Sequence, residues 1–212
     1  MIDSRASLAR TLSAYIQRTI PPEWADAIPM LLEQRDRVLR LVSSGAHVYG
    51  FSTELGHLDQ RETPASSESL LHAHLVGPGT ELDVELTSLI AACKAEQLHH
   101  GHSGASIEAF NGVLDLVQSP IPLAGAWGAS YGSGDVVPGA WWAKAVPVAL
   151  RAGDTIALIN GHFFSTGIAI GVSARASDTI ARLVSELEPV TQVNVVPYDC
   201  ENVPGYRNLA TL

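Results

Sequence analysis

The sequence predicts a mainly α fold: one compact helical domain with short extended segments around a glycine-rich loop. Three observations carry that expectation. Apolar residues recur at helical spacing along most of the chain, and prolines and glycines punctuate the pattern at regular intervals. Apolar residues make up 46% and charged residues 17%, a globular balance, and 212 residues suffice for one sizeable core. The expected organisation is therefore a single domain over residues 1–212.

The elements follow in order. Leu8, Leu12 and Ile16 mark a helix over 4–18, stopped by Pro21 and Pro22, because proline has no N–H and clashes with the preceding turn. A stronger helix is expected from Glu23 to Val42. Ile28, Leu31, Leu32, Val38, Leu39 and Val42 share its apolar face, with Glu33, Arg35, Asp36, Arg37 and Arg40 toward solvent. Ser43, Ser44 and Gly45 end it. His47 to Phe51 reads as a short extended segment entering a polar loop over 52–67. Helix resumes near Glu68 and breaks at Gly77-Pro78-Gly79. Further helices are expected from Glu81 to His99 and from Ala105 to Val117, the latter ended by Pro120 and Pro122. Residues 124–138 hold Gly125, Gly128, Gly132 and Gly134, with Gly139 just beyond, which favours tight turns over regular structure. Helices over Trp141–Leu150, Asp154–Val172 and Asp178–Leu187 follow, and Val193 to Val196 reads as extended.

Charge and composition exclude several classes of partner. A net charge of −9 argues against nucleic acid and anionic membrane, both of which need a basic face. Cys93 and Cys200 belong to no CxxC pattern, so neither a disulfide framework nor a four-cysteine zinc site is expected. The N-terminus lacks a long apolar run, and no membrane span is expected. A soluble, cytoplasmic protein is the expectation.

Four segments, taken in order, are similar to signatures of one enzyme family. Ser44-Gly45-Ala46-His47-Val48-Tyr49-Gly50-Phe51-Ser52-Thr53-Glu54-Leu55-Gly56 resembles SG-x-x-VYG-x-NT-x-x-G. Leu70 to Gly79 resembles LL-x-SHA-x-G-x-G. Trp127-Gly128-Ala129-Ser130 with Gly134-Asp135 resembles GS-x-GASGDLAPL, and Ala157-Leu158-Ile159-Asn160-Gly161 resembles ALLNGT. A weaker echo is Gly101-His102-Ser103-Gly104. Together they span roughly residues 30–175. The chain thus resembles the histidine and phenylalanine ammonia-lyases, and the resemblance implies a fold like their N-terminal part.

The resemblance also implies chemistry. In such lyases an Ala-Ser-Gly triplet cyclises to a methylidene-imidazolone, an electrophile that takes up the substrate amine. The proton-abstracting tyrosine would be Tyr49, the histidine near the substrate His74, and the asparagine bracing loop and substrate Asn160. Two departures stand out. Gly128-Ala129-Ser130-Tyr131-Gly132-Ser133-Gly134-Asp135 occupies the place of Gly-Ala-Ser-Gly-Asp, with three residues inserted. Ring closure needs a small third residue, so Ser133 between Gly132 and Gly134 is a better candidate than Ser130 before Tyr131. The expected cofactor state is none, with the electrophile formed from Gly132-Ser133-Gly134 as the alternative. The second departure is length: family members continue beyond this chain's end, and the region expected to hold the carboxylate-gripping arginine has no counterpart here.

Each residue has a plainer reading. Tyr49 could pack the extended segment, His74 could be a satisfied core histidine, and Asn160 could cap a helix. Trp127, Tyr131 and Asp135 could serve the loop alone, and Trp141 and Trp142 could be core. His99, His100 and His102 do not show the His-x-x-x-His spacing of a helical zinc pair, so even with Glu96 nearby no metal is expected. The functional expectation is a lyase-type enzyme that abstracts a proton with elimination or addition on a small or natural-product substrate. The alternatives are a cofactor-free cyclase or isomerase of secondary metabolism reusing the pocket, and a non-catalytic subunit of a split lyase. A homo-oligomer or a partner subunit is expected, because missing helices would leave apolar faces uncovered.

Overall fold

The computed structural model describes residues 4–55, 66–129 and 134–193, with side chains to residue 186. The fold is mainly α. Its elements are α1 (Ser4–Gln17), α2 (Pro22–Asp26), α3 (Ile28–Ser43), α4 (Ser67–Ala73), β1 (Thr80–Leu82), α5 (Val84–Leu98), α6 (Ile107–Gln118), β2 (Leu123–Gly125), α7 (Val136–Ala143), α8 (Asp154–Ile159) and α9 (Phe163–Val193). The chain divides into two compact units, residues 1–168 and 169–212.

The first unit is built around α5. Nearly every residue from Thr87 to Leu98 is buried, so this helix has no solvent face to keep polar. Ala91, Ala92 and Ala95 are small enough to let α1 and α6 pack closely, while Leu89, Ile90 and Leu98 fill the space between them. Phe110, Val113 and Val117 of α6 complete this layer, each side chain contributing about 1.5–3 kcal/mol on full burial. Ser88 Oγ donates to the Val117 carbonyl at 2.9 Å, so this buried hydroxyl between α5 and α6 is satisfied. Side-chain caps start three helices: Ser66 accepts from Ser69 N, Asp83 from Glu85 N, and Ser106 from Ala109 N.

Several elements differ from the sequence expectation. The helix expected over Glu23–Val42 is broken at Ala27. Pro29 cannot donate to the carbonyl of Ala25, so α3 restarts with proline in its first turn, where a missing N–H costs nothing. Leu32 and Leu39, expected on its buried face, are 53% and 40% exposed, whereas Arg35 is buried beside Leu31. His47 to Phe51 is a turn, with Phe51 N and Ser52 N both donating to the Val48 carbonyl. Residues 80–82 and 123–125 are strands, paired antiparallel with Thr80 opposite Gly125 and Leu82 opposite Leu123. The helix expected over 141–150 lies earlier, at Val136–Ala143. Pro138 sits in its first turn, where no N–H is needed, and the helix ends before Pro147. The helix expected over 154–172 breaks at 160–162, and α9 absorbs the one expected at 178–187. Of Val193 to Val196, Val193 ends α9 and the rest lies outside the described residues.

In the second unit the described residues belong to α9, and 172–186 are all exposed. The stretch Asp154–Glu186 is long and apolar enough to cross a membrane by length and composition alone, with mean hydropathy 1.4 over its most apolar 18 residues. It is interrupted at Asn160-Gly161-His162, where the backbone leaves the helical ladder, so it is two helices in sequence.

Candidate active site

A cleft of about 520 Å³ is lined by Val38 of α3, by Val48, Tyr49 and Phe51, by Gln97, His100, His102 and Ser103 at and beyond the end of α5, and by Ile156, Ala157 and Asn160 at the end of α8. Each wall has a local cause. Helix α3 ends in a Schellman arrangement: Gly45, at φ +85°, donates to Val42 O, and Ala46 N donates to Leu41 O. The chain then folds over Ser52, whose Oγ accepts from Val48 N at 2.9 Å and donates to Ala46 O at 3.2 Å. Gly50 has φ +70°, and a Cβ there would stand 2.6 Å from Ile156 Cγ2. Glycine thus lets the turn lie directly on α8 while Tyr49, 46% exposed, lines the cleft.

The opposite wall ends at Asn160, the C-cap of α8. Its backbone carbonyl accepts from Lys94 Nζ at 2.9 Å and Gln97 Nε2 at 3.3 Å. The next carbonyl, Gly161 O, accepts from Asp135 N at 3.0 Å. Asp135 Oδ2 in turn accepts from the backbone N and Oγ of Ser165, capping the start of α9. A Cβ on Gly134 would lie 3.4 Å from Gly161 O and 4.0 Å from Asn160 Oδ1. The far end of the glycine-rich loop is therefore tied to the residue beside Asn160.

Comparison with known proteins bears on this geometry. The family model described as aromatic amino acid lyase matches residues 23–146. The chain belongs to that family. It is 29% identical to a histidine ammonia-lyase of Aromatoleum aromaticum over 73% of this chain and 35% of the relative. It is 24% identical to a probable histidine ammonia-lyase of Halobacterium salinarum over 82% of this chain and 40% of the relative. Among solved structures it is similar to histidine ammonia-lyase from Trypanosoma cruzi (TM-score 0.58, 22% identity, 76% of this chain and 37% of that one). It is likewise similar to the phenylalanine aminomutase of Pantoea agglomerans (TM-score 0.61, 19% identity, 82% and 39%). The chain spans 35–40% of the length of the curated relatives named here.

As a member of the aromatic amino acid lyase family, the chain brings Tyr49 and Asn160 to one cleft and anchors Gly134 and Asp135 beside Asn160. Tyr131, Gly132 and Ser133 lie outside the described residues. His74 is the C-cap of α4; its Nδ1 donates to Leu70 O at 2.7 Å, and it is not among the residues lining the cleft. Trp127 braces the loop's near end, donating from Nε1 to Thr80 O at 2.7 Å and stacking on Phe164 at 5.2 Å.

Sequence reasoning singled out neither Lys94 nor Gln97. The signal was present: Lys94 is a lone cation directly after the apolar run Leu89-Ile90-Ala91-Ala92-Cys93, and it is fully buried. Glu96, His99 and His100, from which no metal site is expected, bring their ligand atoms within 4.8 Å of one another. The carboxylate is already engaged, however. Arg10 donates to both its oxygens at 2.8 Å, and Trp24 Nε1 donates to Oε2 at 2.7 Å. A guanidinium in that position opposes a metal cation, so the cluster is best understood as an ion-pair node joining α1, α2 and α5. Burial, and secondly the neighbouring His99, push the His100 imidazole below its ordinary value.

Proposed function

We propose that the cleft is the substrate site for ammonia-lyase-type chemistry, with elimination or addition of an amine on a small organic substrate. The observation that carries this reading is the meeting of Tyr49 and Asn160, from distant parts of the chain, on one cleft with the end of the glycine-rich loop fixed alongside. Tyr49 serves as the base that removes a proton from the carbon next to the amine-bearing one, and it requires activation by its surroundings to do so. Asn160 orients the substrate and braces the loop through its carboxamide. Val38, Val48, Phe51, Ile156 and Ala157 present apolar surface that displaces water from the reacting carbon. The family resemblance implies a place near the substrate for His74, but its ring is held to Leu70 O outside the cleft lining, so this reading gives it no role. A methylidene-imidazolone formed from Gly132-Ser133-Gly134 would supply the electrophile for the amine. The described flank is compatible with such a group: Gly134, at φ +97°, has the backbone freedom of glycine and lies within van der Waals reach of Gly161 and Asn160.

The reading includes association with a second copy or a partner subunit, supported by exposed Val172, Ile180, Leu183 and Val184 on α9. A reducing, cytoplasmic setting is supported by Cys93, a buried free thiol pushed up to about 12 by burial and secondly by Glu96.

The test uses the full chain. Its intact mass is measured first: a deficit of two water molecules supports the electrophile, and the full sequence mass removes it from the reading. Amine release from a panel of amino acids and amines is then followed for wild type and Tyr49→Phe. Loss of a positioned base lowers the rate about 10²–10⁴-fold. Equal rates in both proteins, or no turnover of any panel member, would sink the assignment.

A further inference from the structure

Lys94 is fully buried in the centre of α5, yet among the described residues no carboxylate approaches it. Its three N–H directions go elsewhere. Nζ lies 2.9 Å from the Asn160 carbonyl, 3.0 Å from Gln97 Oε1, and 4.3 Å from the centre of the Phe163 ring. Two carbonyl-type oxygens and the negative face of an aromatic ring are all partners suited to an amine that donates. Burial pushes this amine well below the ordinary lysine range, so holding it here costs stability. An apolar side chain of similar length would fill the same space without that cost.

The cost has a local return. Lys94 and Gln97, one helical turn apart, hold the Asn160 carbonyl together. Gly161, at φ +108°, closes so tightly on Gln97 that a Cβ would stand 2.6 Å from Nε2. Asp135 N holds the Gly161 carbonyl from the loop side. Two successive peptide planes are thus clamped from opposite sides, which fixes the direction in which the Asn160 side chain leaves the backbone. We propose that Lys94 is a positioning residue: through the Asn160 carbonyl it sets the orientation of the Asn160 carboxamide in the cleft and the attachment of the loop at Asp135. This inference rests on the reading of the cleft as the substrate site, but its test uses no ligand.

The experiment compares the full-length chain with Lys94→Met, measuring thermal stability and amide hydrogen exchange by NMR. In the variant Tm is expected to hold or rise, because a buried amine has been replaced by an apolar side chain. The Asp135 amide is expected to exchange about ten-fold faster, the effect of losing one buried hydrogen bond of the clamp, while amides within α5 keep their wild-type rates. The Asn160 side-chain NH₂ resonances are expected to shift. A residue that served only packing would lower Tm and leave the Asp135 amide tracking global stability. Exchange at Asp135 within about two-fold of wild type overturns the proposal. If Lys94→Met does not fold, Gln97→Leu removes the second donor of the clasp and must accelerate the same amide about three-fold; no change there also overturns it. Failure to find any substrate would instead remove the functional reading and leave these rates untouched.

Discussion

Asp154→Ala removes the acceptor on which the cleft's α8 wall is built. The Asp154 side chain is 0% exposed, and its carboxylate accepts from Arg35 Nη1 at 3.3 Å, Ser106 N at 2.8 Å, Ser106 Oγ at 2.7 Å and Arg151 N at 2.7 Å. These donors come from α3, from the cap of α6 and from the turn that opens α8. In the variant Arg35 keeps the Gly104 carbonyl, at 2.7 Å, but loses its ion-pair partner. Stranding one member of a buried pair costs about 3–5 kcal/mol. With a urea m-value of about 2–3 kcal/mol/M, the unfolding midpoint falls by about 1–2.5 M. The assay is equilibrium unfolding followed by tryptophan fluorescence, since Trp24 and Trp142 are both buried in the first unit. The double variant Arg35→Met with Asp154→Leu replaces both charges by apolar groups and is expected to recover at least about 2 kcal/mol relative to the summed single variants. A cost under about 1 kcal/mol for Asp154→Ala, or strict additivity in the double variant, would refute the account of this node.

Two further outcomes follow from the same region and from the Glu96 node. Gly153→Ala places a Cβ 2.2 Å from the Phe51 ring at a residue with φ +83°, so backbone and contact penalties combine to about 2–4 kcal/mol, read as a lowered urea midpoint. Phe51 has little room to retreat, because it also meets Gly104 and the Arg35 guanidinium. Acid should destabilise the protein in two stages. Burial and His99 hold His100 below 6.5. Burial pushes the Glu96 carboxyl up, but hydrogen bonds from Arg10, Ser7 and Trp24 more than reverse this and leave it below 4.5. In each case the unfolded chain binds more protons than the folded one, so stability is lost as pH falls through 6.5 and then through 4.5 toward the folded values. Tm measured from pH 7.5 to 3.5 should fall in both windows, with the upper fall reduced in His100→Gln; an unchanged upper slope in that variant would count against the assignment.

Much of the fold was legible because helix periods and breakers act locally. Pro21, the Ser43-Ser44-Gly45 stop and the Gly77-Pro78-Gly79 break appear in the structure where the chain placed them. Local signals failed where tertiary partners decided the outcome. Arg35 sits in a polar stretch and reads as solvated, yet Asp154, far along the chain, draws it inside. Residues 80–82 continue an apolar pattern into α5, and only pairing with 123–125 makes them a strand. For the site, Tyr49 and Asn160 could be named from motif resemblance and Gly45 from helix-stop chemistry, whereas the turn at Gly50 was read as extended chain. Lys94 and Gln97 could not, because a buried amine matters through the carbonyl it holds, and that carbonyl belongs to a residue beyond the reach of any local pattern.

The composition of the cleft carries a last prediction about recognition. Its described lining offers phenol, carboxamide, imidazole and hydroxyl groups from Tyr49, Gln97, Asn160, His100, His102 and Ser103, but no lysine or arginine. Lys94 lies behind Asn160 and Gln97 with no exposed surface, so it cannot reach a ligand's carboxylate. A charge-assisted hydrogen bond to a carboxylate contributes about 1.5–3 kcal/mol, or roughly 10–150-fold in affinity. Without one, an amino acid and the amine that lacks its carboxylate should bind this chain with dissociation constants within about three-fold of each other. Isothermal titration of matched pairs, such as histidine with histamine and phenylalanine with phenethylamine, measures the ratio directly. A preference for the amino acid above about ten-fold would refute the argument and require a cation from outside the described lining.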